Sequence, residues 1–242
     1  MKTVKLGIAG LGHVGCGLIK LVEAQANLRL PGRVEIVGVS ARSRTKNRAV
    51  DISKYRWFDD AATLAEDPQV DIFVELMGGS DGPAKFAVEE AIKFGKHVVT
   101  ANKALIAMHG QSLEKQAQAK DVDLMFEAAV AGGVPVVRVL RDSLTGVSVT
   151  RVSGILNGTC NYLTTQMLAT GRSYEEVLEE AQKLGYAEAD PYLDVSGMDA
   201  AHKAAILSSI AFTADLDFQQ VSVTGIDTVE LLDLVLADRL GL

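Results

Sequence analysis

Asp199 and Lys203 stand four residues apart at the head of an apolar stretch, at the end of the segment GYAEADPYLDVSGMDAAHK, which also carries Glu188, Asp190 and Asp194. On a helix that spacing puts a carboxylate and an ammonium on one face. A lysine so placed, with acids around it, can exchange a proton with a small polar molecule held there. The plain alternative is a solvated surface, on which such a pair contributes only about 0.2–0.5 kcal/mol. Gly185, Pro191 and Gly197 break the segment into turns, and Tyr186 and Tyr192 are interleaved with the acids. That arrangement suits a small polar molecule better than a bare charged face.

A second group of residues could bind a nucleotide. The apolar run at residues 4–9 leads into Gly10-Leu11-Gly12-His13-Val14-Gly15 and then into an amphipathic stretch reaching Glu23. A strand, a glycine-rich turn and a helix form the context in which G-x-G-x-x-G means dinucleotide binding. Gly10 permits the tight turn, Gly12 lets backbone approach a pyrophosphate, and Gly15 lets helix and strand pack closely, with the helix N-terminus offering N–H groups to the anion. His13 is read as a surface side chain. The next apolar run, residues 34–39, ends in Ser40, Arg42 and Arg44, followed by Lys46 and Arg48, where NAD-binding chains place an acid for the ribose. Guanidinium groups there suit a 2′-phosphate, so NADP is expected over NAD.

These residues need elements to position them. Helix-like residues 60–66, strand 70–76, helix 83–94, strand 97–100, helix 104–120 and strand 122–126 continue the alternation, which predicts a Rossmann-type, doubly wound parallel α/β sheet. Ligands sit at the C-terminal strand ends of such sheets. Three of those ends carry Glu75 to Gly79 with Gly78, Thr100 to Lys103, and Glu127. Residues 147–156 and 221–223 read as strands, and residues 157–170, 174–184 and 198–212 as helices, with Ser173 and Glu176 forming a capping box. A second, α+β substrate domain is expected over residues 131–242, after a nucleotide-binding domain over residues 1–130.

With 48% apolar residues in 242 the chain can build a sizeable core. Thirty-one acids against 24 Lys and Arg give a net charge of −7, and no basic face with interleaved aromatics is present, which argues against nucleic acid. No apolar run reaches membrane-spanning length and the N-terminus enters a strand directly, so a cytoplasmic protein without a leader is expected. Cys16 and Cys160 lack metal-ligand spacing and are read as buried thiols rather than a disulfide.

The pieces GIAGLGHVG, VELMGG, GKHVVTANKALIA, FEAAVAGGVPVV, GILNGTCNY and LGYAEADPYLDVSGMDAAHKAAIL together resemble the homoserine dehydrogenase family over nearly the whole chain. The resemblance implies interconversion of L-homoserine and L-aspartate 4-semialdehyde with NAD(P), on the route to threonine and methionine. It implies Lys203 as the acid/base lysine and Lys103 as a lysine near nicotinamide and substrate. Glu188, Asp199, Asp194 and Tyr186 would contact substrate. Gly10, Leu11, Gly12, Val14, Gly15, Ser40, Arg42, Arg44, Gly78, Thr100, Lys103 and Gly185 would contact the cofactor. It further implies a sodium site at Glu127, Val130, Gly132 and Val134, built largely of carbonyl oxygens, and a homodimer. Cys160 departs from the threonine usual in the family's NGTTNY. The leucine-rich end, residues 230–242, reads as an element without its packing partner, so a fragment of a longer catalytic unit is expected. Two other readings stand beside this one: a different small-carbonyl oxidoreductase, and a non-catalytic NADP sensor.

Overall fold

The computed structural model describes residues 3–24, 32–215 and 218–241, which separate into two compact units, 1–145 and 146–242. The domain boundary expected near Ala131 therefore lies within the first unit as contacts define it.

In the first unit six strands form one parallel sheet in the order β3-β2-β1-β4-β5-β6. They are β1 (Thr3–Ala9), β2 (Arg33–Ser40), β3 (Arg56–Phe58), β4 (Ile72–Glu75), β5 (His97–Thr100) and β6 (Leu124–Met125). Helices α1 (His13–Glu23), α2 (Ala61–Glu66), α3 (Pro83–Lys93) and α4 (Lys103–Ala119) connect them. Because crossover helices cover such a sheet, its strands are apolar with little alternation, and Ile8, Val39 and Phe73 are fully buried, each stabilising by about 1.5–3 kcal/mol. Strand order reverses between β1 and β4, which opens a crevice at their C-terminal ends. Strand β3 is absent from the sequence reading. Its three residues Arg-Trp-Phe are too few to show a period, and pairing with β2 (Ser40 to Phe58) makes it a strand.

After the short α5 (Val136–Arg138), the second unit contains α6 (Gly158–Thr170), α7 (Tyr174–Leu184), α8 (Tyr192–Val195), α9 (Met198–Phe212) and α10 (Leu231–Leu240). Leu163, Met167, Val177, Ala181, Ala187 and Val195 form its core. Asn157 caps α6 through the Cys160 N–H, the Ser173–Glu176 capping box opens α7, and Gly171 and Gly185 close α6 and α7 in the left-handed conformation. The strands expected at residues 147–156 and 221–223 are not formed. Both stretches are irregular, because a strand exists only with a ladder partner and neither finds one among the described residues. In the tail, α10 turns Leu231 and Leu234 to this core and leaves Leu232, Leu236 and Leu240 exposed.

Candidate active site

At the first strand end, the Gly10 N–H donates to the Ser40 carbonyl (2.9 Å) and the Leu76 N–H to the Ala9 carbonyl (2.7 Å), which stitches β1 to both neighbours. Gly10 has φ +101°, and a Cβ there would stand 2.3 Å from the Leu76 carbonyl oxygen. A Cβ on Gly15 would stand 2.0 Å from the Gly10 oxygen. Gly12 is the opposite case: a Cβ would meet nothing within 4 Å, and no side chain caps α1 there. The turn thus presents open space at the head of a helix, the shape a pyrophosphate fills. Leu11 is buried, Val14 and His13 are exposed, Ser40 is buried at the end of β2, and Arg42 and Arg44 are exposed just beyond it.

Next to this turn lies a network centred on Glu75, whose part in it sequence reasoning left unassigned. Glu75 is fully buried, and its Oε1 accepts the N–H groups of Met77 (2.7 Å) and Gly78 (3.1 Å) while Oε2 accepts the Thr100 hydroxyl (2.5 Å). Thr100 Oγ1 accepts the Asn102 N–H, and Asn102 in turn donates to the Gly79 carbonyl and caps α4 through the Leu105 N–H. Lys103 is the first residue of that helix. The loops after β4 and β5 are therefore one rigid piece. An acid closing an apolar strand just before paired glycines was the available signal.

Glu127 Oε2 accepts the Arg138 N–H (2.9 Å), whereas Oε1 is buried with no hydrogen-bond partner among the described residues. Ala131 and Gly133 take positive φ, so the chain from Val130 through Gly132 to Val134 turns tightly beside it. A cavity of about 540 Å³ lies elsewhere, at the N-terminal ends of β4 to β6 between Val4, Ile72, Val98 and Met125.

In the second unit Lys203 Nζ donates to Asp199 Oδ2 (2.7 Å) and to the Leu156 carbonyl (2.7 Å). The pair lies within one helix at i, i+4, and the Asp199 and Lys203 side chains are only 4% and 19% exposed, so the solvated-surface alternative does not describe it. Asn157 Nδ2 donates to Asp194 Oδ1 and Asp199 Oδ2, both at 2.8 Å, while its Oδ1 caps α6. Thr159 Oγ1 stands 3.0 Å from Asp194 Oδ2 and 3.2 Å from the Tyr186 carbonyl. Asn157 is the bridge of the cluster, and its role was not read from the sequence because an N-cap looks the same whatever its amide does. Cys160 donates its thiol to the Asp194 carbonyl (3.2 Å), keeping the donor that a threonine would offer. Burial, and then the charges of Asp194 and Asp199, push that thiol's pKa up.

Glu188 stands outside this network: it is exposed, and its carbonyl accepts from Gln182. Tyr186 is exposed and packs on Tyr162 with ring centres 4.9 Å apart and the rings tilted by 39°. Gly185 is the C-cap of α7. Two of the three Lys203 protons are accounted for among the described residues.

Comparison with known proteins identifies relatives of the whole chain. A family model described as homoserine dehydrogenase matches residues 135–242, and one described as the homoserine dehydrogenase NAD-binding domain matches residues 10–127. A homoserine dehydrogenase of Pseudomonas aeruginosa is 45% identical over 244 residues, covering 100% of this chain and 56% of that protein. The crystal structure of a homoserine dehydrogenase from Thiobacillus denitrificans superposes with a TM-score of 0.92 at 41% identity, over 99% of this chain and 56% of the other. A putative homoserine dehydrogenase from Archaeoglobus fulgidus gives 0.86 at 31%, over 98% of this chain and 77% of the other. The chain spans just over half the length of the curated relatives it matches. With a glycine turn at the strand reversal, a buried Asp–Lys pair on a second-unit helix, and these likenesses along its whole length, the chain belongs to the homoserine dehydrogenase family.

Proposed function

We propose that the chain carries out the NAD(P)-dependent interconversion of L-homoserine and L-aspartate 4-semialdehyde, in the cytoplasm, as a step toward threonine and methionine. The observation that carries this reading is Lys203, whose ammonium is held between the Leu156 carbonyl and Asp199 within the pair of acids bridged by Asn157. The open space at Gly12 and the uncapped start of α1 fit a nicotinamide dinucleotide, held by the turn from Gly10 to Gly15. When bound, that group supplies or takes up the hydride. Reduction then requires a proton at the substrate oxygen, which Lys203 gives, and oxidation requires its removal, which Lys203 accepts. Asp199 and Leu156 fix the direction of that amine. Because Asp199 already serves Lys203 and Asn157, and Asp194 serves Asn157 and Thr159, the exposed Glu188 is the acid with most freedom to take the substrate ammonium. The test is oxidation of NADPH by the full chain with aspartate semialdehyde; binding of NADPH without turnover would favour a sensor instead.

Three finer parts belong to the same reading. Arg42 and Arg44 favour NADP, so replacing both by Ala should weaken NADPH by roughly tenfold or more per lost charged hydrogen bond and leave NADH nearly unchanged. Equal losses for the two nucleotides in titration calorimetry would refute that. The orphaned Glu127 Oε1 fits a hard cation such as sodium, completed by the carbonyls of Val130, Gly132 and Val134. The exposed leucines of α10 support a homodimer, and sedimentation velocity at micromolar concentration should show two chains rather than one.

A further inference from the structure

Arg48 looks in the sequence like one more member of the basic tip that follows β2. Its surroundings differ from those of the others. Residues 42–47 are exposed, whereas Arg48 is half-buried, and its guanidinium donates through Nε to the Leu11 carbonyl (3.3 Å), through Nη1 to the Lys46 carbonyl (3.0 Å) and through Nη2 to the Ser43 carbonyl (2.6 Å). All three nitrogens are thereby engaged with backbone. One acceptor belongs to the glycine-rich turn and two to the loop that carries Arg42 and Arg44.

We propose that Arg48 is a positioning residue for nucleotide selectivity: it clamps the loop of residues 42–47 onto the glycine-rich turn, so that Arg42 and Arg44 stand in fixed relation to the pyrophosphate site. The inference rests on the reading of Arg42 and Arg44 given above. Its physical basis is geometric. A loop of exposed residues is ordered only if something offsets its conformational entropy, about 1–2 kcal/mol for each fixed backbone residue. A planar guanidinium can bind three carbonyls in one plane at once, and those carbonyls lie 37, 5 and 2 residues away in sequence. An ammonium on a flexible stem is a point charge and cannot span them. Arg48 therefore acts through its shape, and a role in attracting phosphate by charge alone would survive replacement by lysine.

Arg48→Lys separates the two roles, because it keeps the charge and removes the fork. For the full chain, titration calorimetry with NADPH and NADH is expected to show NADPH weakened on the order of tenfold and NADH by less than about threefold, so that the ratio of affinities falls. Trypsin should also cut after Arg42, Arg44 and Lys46 faster in Arg48→Lys than in the parent without nucleotide, with circular dichroism unchanged. If Arg48→Lys keeps both the ratio and the cleavage rate while Arg48→Ala lowers the ratio, Arg48 works by charge and the proposal is overturned. Unchanged behaviour in both variants overturns it as well. The double change Arg42→Ala with Arg44→Ala is the control: if it leaves the ratio untouched, the reading of those two arginines fails and the clamp has no selectivity to set. If it lowers the ratio and Arg48→Lys does not, only the clamp fails.

Discussion

Lys203→Ala is expected to lower kcat by roughly 10²–10⁴ while NADPH binding stays at its parental value, since in the proposed mechanism the amine carries the proton and the nucleotide turn lies in the other unit. The same change has a structural cost. It removes the Lys203 ammonium from the buried Asp199 carboxylate, and breaking a buried pair by removing one partner costs about 3–5 kcal/mol. Kinetics must therefore be read well below the variant's melting temperature. Asp199→Ala should raise KM and lower kcat together, because it releases both Lys203 and the Asn157 amide. The double variant should be less destabilised than the sum of the singles, since the two side chains interact directly and both singles lose the same contact. Activity retained in Lys203→Ala, in steady-state assay with aspartate semialdehyde, would remove Lys203 from the mechanism.

The other large effect concerns two glycines separated by a single residue. Gly10→Ala places a Cβ 2.3 Å from the Leu76 carbonyl oxygen at φ +101°, so it combines backbone strain of about 1–3 kcal/mol with overpacking of similar size. Against a total stability of about 5–15 kcal/mol, that is expected to lower the melting temperature by roughly 10 °C and to abolish nucleotide binding. Gly12→Ala meets no atom within 4 Å and should melt like the parent. It should nevertheless bind NADPH far more weakly, because its methyl group occupies the pyrophosphate's approach. A Gly12→Ala chain that binds NADPH normally would show that the turn does not hold the phosphates. Calorimetric melting and NADPH titration of the two variants decide both points.

What could be read in the residues followed from local periodicity. The parallel strands other than β3, their glycine turn and the helices α6, α7 and α9, including the Ser173–Glu176 box, depend on neighbours in sequence, and the structure places them within a residue or two. Features that depend on distant partners were missed or misread. Strand β3 exists through its pairing with β2, and residues 147–156 have strand composition but no ladder to join. In the site, Asp199 and Lys203 were legible as an i, i+4 pair. The Asn157 bridge was not, because its acceptors lie 37 and 42 residues away. Glu75 was visible only as a strand-end acid, and Arg48 as one more basic residue, though the first pins two loops and the second three carbonyls.

The Asn157 bridge also governs how the site ages. Asn157 is followed by glycine, the neighbour that least hinders attack of a backbone nitrogen on an asparagine side chain. In that reaction the Gly158 nitrogen bonds to Asn157 Cγ and expels ammonia, and water then opens the ring to aspartate or isoaspartate. Here Gly158 begins α6, Asn157 is extended (φ −131°, ψ 123°), and both ends of its amide are engaged, so ring closure must first break the cap and unwind the first turn. Folding thus acts as a preservative on the residue most prone to spontaneous decay. Once α6 frays, the group that joins Asp194 to Asp199 turns with time into a third carboxylate facing them both.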